Sequence, residues 1–287
     1  MSPLEAYRVT VFGKQPGTGN PAVVVLDSGG WSDEVLQAIA AKAAVPDTAF
    51  LATDPVNSGR LTIRWFTPTT QVGLCGHATL AAARVIQEKT RQDQVEFHSA
   101  KARLLVTREG DLSWLELPVP ANGPFDGSRN AIAEALQIWG SETELKLPLA
   151  LTPERDVIIP LSEAADLYAI EPEMDQLAQL GREFHVRGFC LLSRQKRDAA
   201  SHFSLRFFAP QTGIPEDPAT GSVVGPLALY ALTYGWATRE PIVRLRFEQG
   251  DAVNLPCRLQ VELTCEGDRP VRLRVGGLTS APAPVVL

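Results

Sequence analysis

Two short stretches carry the residue types best suited to chemistry. In Cys75-Gly76-His77-Ala78-Thr79 a thiol and an imidazole flank a glycine, just ahead of the small apolar run Leu80 to Val85. In Glu216-Asp217-Pro218-Ala219-Thr220-Gly221-Ser222 carboxylates, hydroxyls and a glycine stand just ahead of the apolar run Val223 to Leu232. Helix starts leave backbone N–H groups open and carry a positive dipole end, so both stretches are candidates for holding an anion. Glycine at position 76 or 221 lets the backbone approach a ligand without a Cβ in the way. Imidazole and carboxylate side chains at such a place can also exchange protons with the ligand. Asp47, just past Pro46, lies at the junction of a helix and a strand, a rim position where an Asp is usually a turn residue. Each residue has a plainer reading as well. His77 can cap a helix, Asp217 can form an Asx-type turn, Asp47 can be a turn residue and Cys75 a small buried hydrophobe. A thiol at a helix start can instead have a lowered pKa and act as an acid or base.

The elements that must position these residues repeat. Arg64-Trp65-Phe66-Thr67-Pro68 precedes the first stretch, and Arg206-Phe207-Phe208-Ala209-Pro210 precedes the second. Each copy reads strand, loop, helix start, and a long repeat present only twice argues for two related halves rather than an array. The two loops are expected to face each other across a cleft. Before the first copy, strands are expected at Tyr7 to Phe12 and Ala22 to Leu26, with the glycine-proline loop from Gln15 to Pro21 between them. Ser32 as N-cap, Asp33 and Glu34 in the first turn, and Val35, Leu36, Ile39 and Ala43 at helical spacing predict a helix over 33 to 44, stopped by Pro46. Strands follow at 47–51, 61–66, 94–98, 101–107 and 112–117. Pro118, Pro120, Gly123 and Pro124 mark a boundary. Beyond it the pattern predicts helices near 128–138, 172–180 and 222–234, and strands at 157–160, 188–193, 203–208, 243–248, 258–263 and 271–275. The fold class is α+β, each half a mixed sheet or barrel wrapped around a central helix. The expected halves are 1–120, with about 278–287 as a candidate completion, and 121–277.

Bulk properties exclude more than they propose. The chain has 287 residues, 45% hydrophobic and 21% charged, enough for two ordinary cores. Its formal net charge of −6 and lack of basic runs argue against nucleic acid and anionic membranes as partners. No apolar stretch approaches the roughly 20 residues of a membrane span, and Met1-Ser2-Pro3-Leu4-Glu5 lacks signal-peptide features, so a cytoplasmic location is expected. Cys75, Cys190, Cys257 and Cys265 are scattered, as are His77, His98, His185 and His202, which suits reduced thiols and offers no metal-ligand spacing. Neither a dinucleotide fingerprint nor a Walker sequence is present.

Six ordered blocks together resemble one family. They are Gly19-Asn20-Pro21-Ala22-Val23-Val24, Thr48-Ala49-Phe50, Phe66-Thr67-Pro68 with Cys75-Gly76-His77-Ala78-Thr79, Phe208-Ala209-Pro210 with Gly213-Ile214 and Glu216 to Ser222, Gln249-Gly250, and Val275-Gly276-Gly277. In that order the chain resembles the PhzF-like (phenazine biosynthesis-like) isomerases. The resemblance implies the pseudo-symmetric two-half fold of diaminopimelate epimerase, a homodimer, and catalysis without cofactor or metal. It implies an isomerase that moves a proton between carbons of a small, anionic, amino acid-like or cyclic substrate. Carried over residue by residue, it makes Asp47, His77 and Asp217 catalytic, and Asn20, Gly76, Thr220, Gly221 and Ser222 substrate-binding.

The chain departs from the family in two places. Pro46-Asp47-Thr48 stands where relatives usually have Ser-Glu-Thr, and Asn254-Leu255-Pro256-Cys257 where they tend to have Gly-Arg-Pro-Ser. Two other readings therefore stand beside the isomerase: a single-thiol epimerase or dehydratase using Cys75, and a catalytically weak relative that serves as a binding protein.

Overall fold

The computed structural model describes residues 4–15, 18–54, 59–138, 147–163 and 165–287. The residues at Met1 to Pro3, and two within the expected loop from Gln15 to Pro21, lie outside that set. The chain forms two compact units, residues 1–117 with 274–287, and residues 118–273.

In the first unit, β1 (Ala6–Val11) pairs antiparallel with β2 (Asn20–Val25). The helix α1 (Asp33–Ala43) then crosses over to β3 (Asp47–Thr53), which lies parallel to β2 with Ala22 opposite Asp47. β4 (Leu61–Phe66) is antiparallel to β3, and the short β5 (Gln71–Val72) folds back on it. Next comes α2 (Gly76–Thr90), followed by β6 (Gln94–His98), β7 (Arg103–Glu109) and β8 (Leu112–Leu117). β6 is parallel to β4, while β7 is antiparallel to both β6 and β8.

α2 packs against β1, β2, β3, β6, β7 and β8, so the sheet wraps it. Every residue from His77 to Val85 is buried, and a helix buried on all sides must be made of small or apolar residues, as Ala81-Ala82-Ala83 is. A second core, on the other side of the strands, joins Leu36 and Ala40 of α1 to Val23, Val25, Phe50 and Phe66.

The second unit repeats the order. β9 (Gly123–Pro124), α3 (Arg129–Ala135) and β10 (Ala150–Leu151) lead into β11 (Asp156–Pro160). The helix α4 (Met174–Glu183) crosses over to β12 (Gly188–Ser193), parallel to β11, and β13 (Phe203–Ala209) is antiparallel to β12. The short β14 (Ile214–Asp217) folds back on β13 and leads to α5 (Gly221–Thr233). β15 (Ile242–Gln249) lies parallel to β13, and β16 (Cys257–Glu266) is antiparallel to β15. β17 (Arg269–Leu278) crosses the boundary: from Arg274 on it belongs to the first unit, where it pairs with β8, and β18 (Ala283–Pro284) pairs with β1. Parallel pair, crossover helix, hairpin, central helix and parallel return therefore occur once in each unit, the α+β architecture expected from the repeated motif. No helix among the described residues is long and apolar enough to cross a membrane.

Several local expectations are corrected. Asn20 and Pro21 belong to β2, not to a loop, because Gly19 at φ 104° turns the chain tightly enough to pair Asn20 with Val11. A Cβ on Gly19 would lie 2.6 Å from the Val11 carbonyl oxygen. Ser32 sits at the N-cap of α1 in extended geometry but makes no capping hydrogen bond. The expected span of that helix holds to within a residue, and Ala44, in a left-handed conformation at φ 51°, ends it ahead of Pro46. Gly123 and Pro124 form a short strand against β10. α3 stops at Ala135 rather than 138.

Candidate active site

His77 is the second residue of α2, inside the helix, with Cys75 at the N-cap position; the expectation that the helix begins after His77 is corrected. The first intrahelical bond runs from Thr79 N–H to the Cys75 carbonyl at 3.0 Å, and the Thr79 hydroxyl donates to the same oxygen at 2.7 Å. The N–H groups of Gly76, His77 and Ala78 lie ahead of that ladder, and the Cys75 side chain does not cap them.

Asp47 opens β3, where its register opposite Ala22 puts it on the same face as Val9. Its Oδ2 lies 3.8 Å from His77 Nε2, with side-chain exposures of 15% and 8%. Cys75 Sγ lies 3.3 Å from His77 Nδ1. The first unit thus gathers thiol, imidazole and carboxylate into one cluster. As donors these groups lie within 4.8 Å of one another and could hold a metal ion. Asn20, two residues from Ala22 and on the same face of β2, is fully buried, and neither amide atom has a partner among the described residues. His77 Nε2 is likewise without a hydrogen bond. A buried polar group left unmade costs about 1–3 kcal/mol, so these atoms are poised for a ligand.

The second unit gathers Asp217, Thr220, Gly221 and Ser222. Asp217 Oδ1 accepts from Ala219 N–H at 3.1 Å, which is the Asx turn, and Oδ2 accepts from the Thr220 hydroxyl at 2.7 Å. Thr220 is the N-cap of α5 and, as in α2, supplies no side-chain cap. Gln249 locks this loop: its Oε1 accepts from Thr220 N–H at 2.8 Å, and its Nε2 donates to the Asp217 carbonyl at 2.6 Å. Gly250 follows at φ 82°, where a Cβ would lie 2.2 Å from the Leu255 carbonyl oxygen and 2.7 Å from that of Pro218. Gly250→Ala is expected to cost at least about 2 kcal/mol in urea unfolding, from overpacking against backbone plus the positive φ. Leu255, at the second departure from the family pattern, thus helps close the loop through its backbone.

Sequence reasoning missed Arg187 and Asp156. Arg187, just before β12, donates from Nε to Asp156 Oδ1 at 2.8 Å and from Nη2 to Oδ2 at 2.5 Å, and Nη2 also donates to Ser222 Oγ at 2.9 Å. Asp156 is wholly buried, and burial pushes its carboxyl above the ordinary value against the pull of Arg187. Burial pulls the Arg187 guanidinium down, but its hydrogen bonds and charge attraction to Asp156, together with the charges of Glu154 and Asp217, outweigh this and raise it. The only available signal was an Asp at the start of an apolar strand. Beside this pair, Arg206 and Glu216 form a buried two-pronged ion pair at 2.9 and 2.8 Å.

A family model described as phenazine biosynthesis-like protein matches residues 9–282. A Deinococcus radiodurans protein named an uncharacterised isomerase is 34% identical, over 96% of this chain and 92% of its own length. The crystal structure of a Bacillus anthracis phenazine biosynthesis protein of the PhzF family superposes with a TM-score of 0.86 at 22% identity, covering 100% of both chains. That of a Pseudomonas aeruginosa protein named as a predicted epimerase gives 0.82 at 23% identity, covering 99% of each. With the repeat, the wrapped central helices and this match along nearly its whole length, the chain belongs to the phenazine biosynthesis-like PhzC-PhzF family.

Proposed function

We propose that the protein is an isomerase that moves a proton between carbons of a small carboxylate-bearing substrate, amino acid-like or cyclic, with Asp47 as the acid/base. The observation that carries this reading is the cluster of buried Cys75 and His77 with the partly exposed Asp47 at the start of α2, beside an Asn20 whose amide has no partner among the described residues. The Asp47 carboxylate takes the proton from carbon, and His77, 3.8 Å away, stabilises the protonated and ionised states in turn. The N–H groups of Gly76, His77 and Ala78 oppose the negative charge that develops on the substrate, as preorganised donors do. Asn20 fixes a polar substituent. Asp217 assists as a polar partner, and Thr220, Gly221 and Ser222 supply the cradle for the anionic end. None of these steps calls on a metal or an organic cofactor. The test is to incubate the protein in D2O with amino-acid and cyclic carboxylic-acid libraries and follow carbon-bound deuterium by NMR. Deuterium entering a substrate at two carbons supports the reading. A protein that exchanges no carbon proton in any of them overturns it.

A second reading has one observation in its favour, the 3.3 Å contact of the Cys75 thiol with His77 Nδ1, which makes the thiol a rival base for a single-thiol epimerase or dehydratase. Under the first reading, Cys75→Ser keeps exchange within about tenfold of wild type, because a general acid/base group alone is worth about 10²–10⁴-fold. A loss beyond that range, matched by loss on alkylation of the wild type, transfers the role to the thiol.

A further inference from the structure

The duplicated topology permits a position-by-position comparison of the units. Phe66 of β4 stands opposite Thr48, and Phe208 of β13 stands opposite Phe189. Asp47 therefore corresponds to Gly188, and Pro46 to Arg187. The helix positions correspond too: His77 is the second residue of α2 and Ser222 the second of α5. In the first unit the strand that follows the crossover helix brings a carboxylate to the second residue of the central helix. In the second unit the same junction brings a guanidinium there. We propose that Arg187 is a specificity-determining residue, which with Ser222 receives the carboxylate of the substrate.

Four restraints hold Arg187. Two are its hydrogen bonds to Asp156, whose side chain is 0% exposed, and a third is the bond to Ser222. The fourth is the Phe207 ring, whose centroid lies 5.5 Å from the guanidinium carbon. Gly188 leaves space for that ring, since a Cβ there would lie 2.3 Å from Phe207 Cζ. Taking a carboxylate out of water is costly, and such a pair contributes little net stability, so its value lies in orientation. An arginine ordered in advance loses little side-chain entropy when a ligand arrives.

The polarity of what remains open is one-sided. Ser222 Oγ accepts from Arg187, so its own proton is available to donate. Arg187 is 37% exposed at its side chain, and no partner takes Nη1 among the described residues, which leaves two N–H donors. Of the nearby negative charges besides Asp156, Glu154 is exposed to solvent, and Asp217 has its oxygens turned to Ala219 N–H and the Thr220 hydroxyl. A planar group with two anionic oxygens matches Nη1 and the Ser222 hydroxyl together, and a neutral amide matches them poorly.

This assignment rests on the carboxylate-bearing substrate of the proposed function and is tested apart from it. Benzoate and benzamide are titrated into the full-length protein, with the backbone amide signals of Gly221 and Ser222 followed by NMR. Wild type is expected to bind benzoate at least about tenfold more tightly, the worth of one charge-assisted hydrogen bond. In Arg187→Gln the benzoate/benzamide ratio falls to near one with benzamide affinity unchanged. Arg187→Lys, which keeps the charge and loses the fork, falls between. If Arg187→Gln unfolds because Asp156 is left unpaired, the double variant Asp156→Asn/Arg187→Gln gives the same readout. Equal or absent binding of the two probes by wild type, or a ratio that survives loss of the guanidinium, overturns the assignment. A parallel loss of both probes marks Arg187 as merely structural and overturns it too. Asp47→Ala leaves the ratio intact, so failure of the isomerase reading shows only in the deuterium experiment.

Discussion

Replacing Asp47 with asparagine is expected to slow carbon deuteration by about 10²–10⁴-fold, the range for loss of a positioned general acid/base. The change keeps shape and hydrogen-bonding capacity and removes the proton-accepting charge. It should leave folding intact, because Asp47 sits at the first position of β3 with its side chain partly open. Asp47→Glu is the sharper variant. The family usually has glutamate here, but the extra methylene moves the carboxyl by roughly 1.5 Å. A misplacement near 1 Å costs about 10²-fold when geometry is set for the shorter side chain. The glutamate variant should therefore fall between wild type and Asp47→Asn, with His77 now too close to the carboxyl. Both rates come from NMR time courses in D2O on one substrate. An Asp47→Asn protein that exchanges as fast as wild type removes the carboxylate from the mechanism. A faster Asp47→Glu protein would show instead that this chain is a weakened version of the glutamate form.

What could be read from the sequence divides along physical lines. Local signals were strong where one element settles its own fate. Leu36, Ile39 and Ala43 at helical spacing behind two acidic first-turn residues gave α1 to within a residue. The two helix starts were legible because a glycine, polar groups and a small-residue helix fall together twice. Three features were not legible. Asn20 looked like loop beside Gly19 and Pro21, and only its pairing with Val11 makes it strand and buries its amide. His77 looked like a residue ahead of the helix, because nothing local marks Cys75 as the cap. Asp156 and Arg187 are 31 residues apart, and the parallel register of β11 with β12 alone brings them together. Contacts made through sheet register leave no mark on composition or spacing, which is why the cation of the second unit was missed while its helix start was found.

The Arg206–Glu216 pair makes the largest stability prediction. It ties the strand of the second motif, β13, to the acidic loop that carries Asp217. Both side chains are almost fully buried, at 9% and 8% exposure. Arg206 Nη1 also donates to the carbonyls of Leu167 and Ile170 at 3.1 and 2.6 Å, and the guanidinium lies 4.9 Å from the centroid of the Phe208 ring. Arg206→Met is therefore expected to cost about 3–5 kcal/mol, because it leaves the Glu216 carboxylate buried and unpaired. The two carbonyls lose a donor as well. Arg206→Met/Glu216→Leu should recover much of that cost, since replacing both members of a buried pair by apolar side chains is often close to neutral. Urea unfolding, with midpoint and slope fitted for each protein, measures the difference. A single variant that loses less than about 1 kcal/mol would mean that water reaches Glu216 and that the pair is no anchor. The double variant also separates stability from function. If it folds as well as wild type but no longer exchanges deuterium, the ion pair serves to aim the Asp217 loop rather than to hold the unit together. That is the role expected of a charge pair buried beside a site whose every other restraint, from Gln249 to Gly250, acts on the same turn.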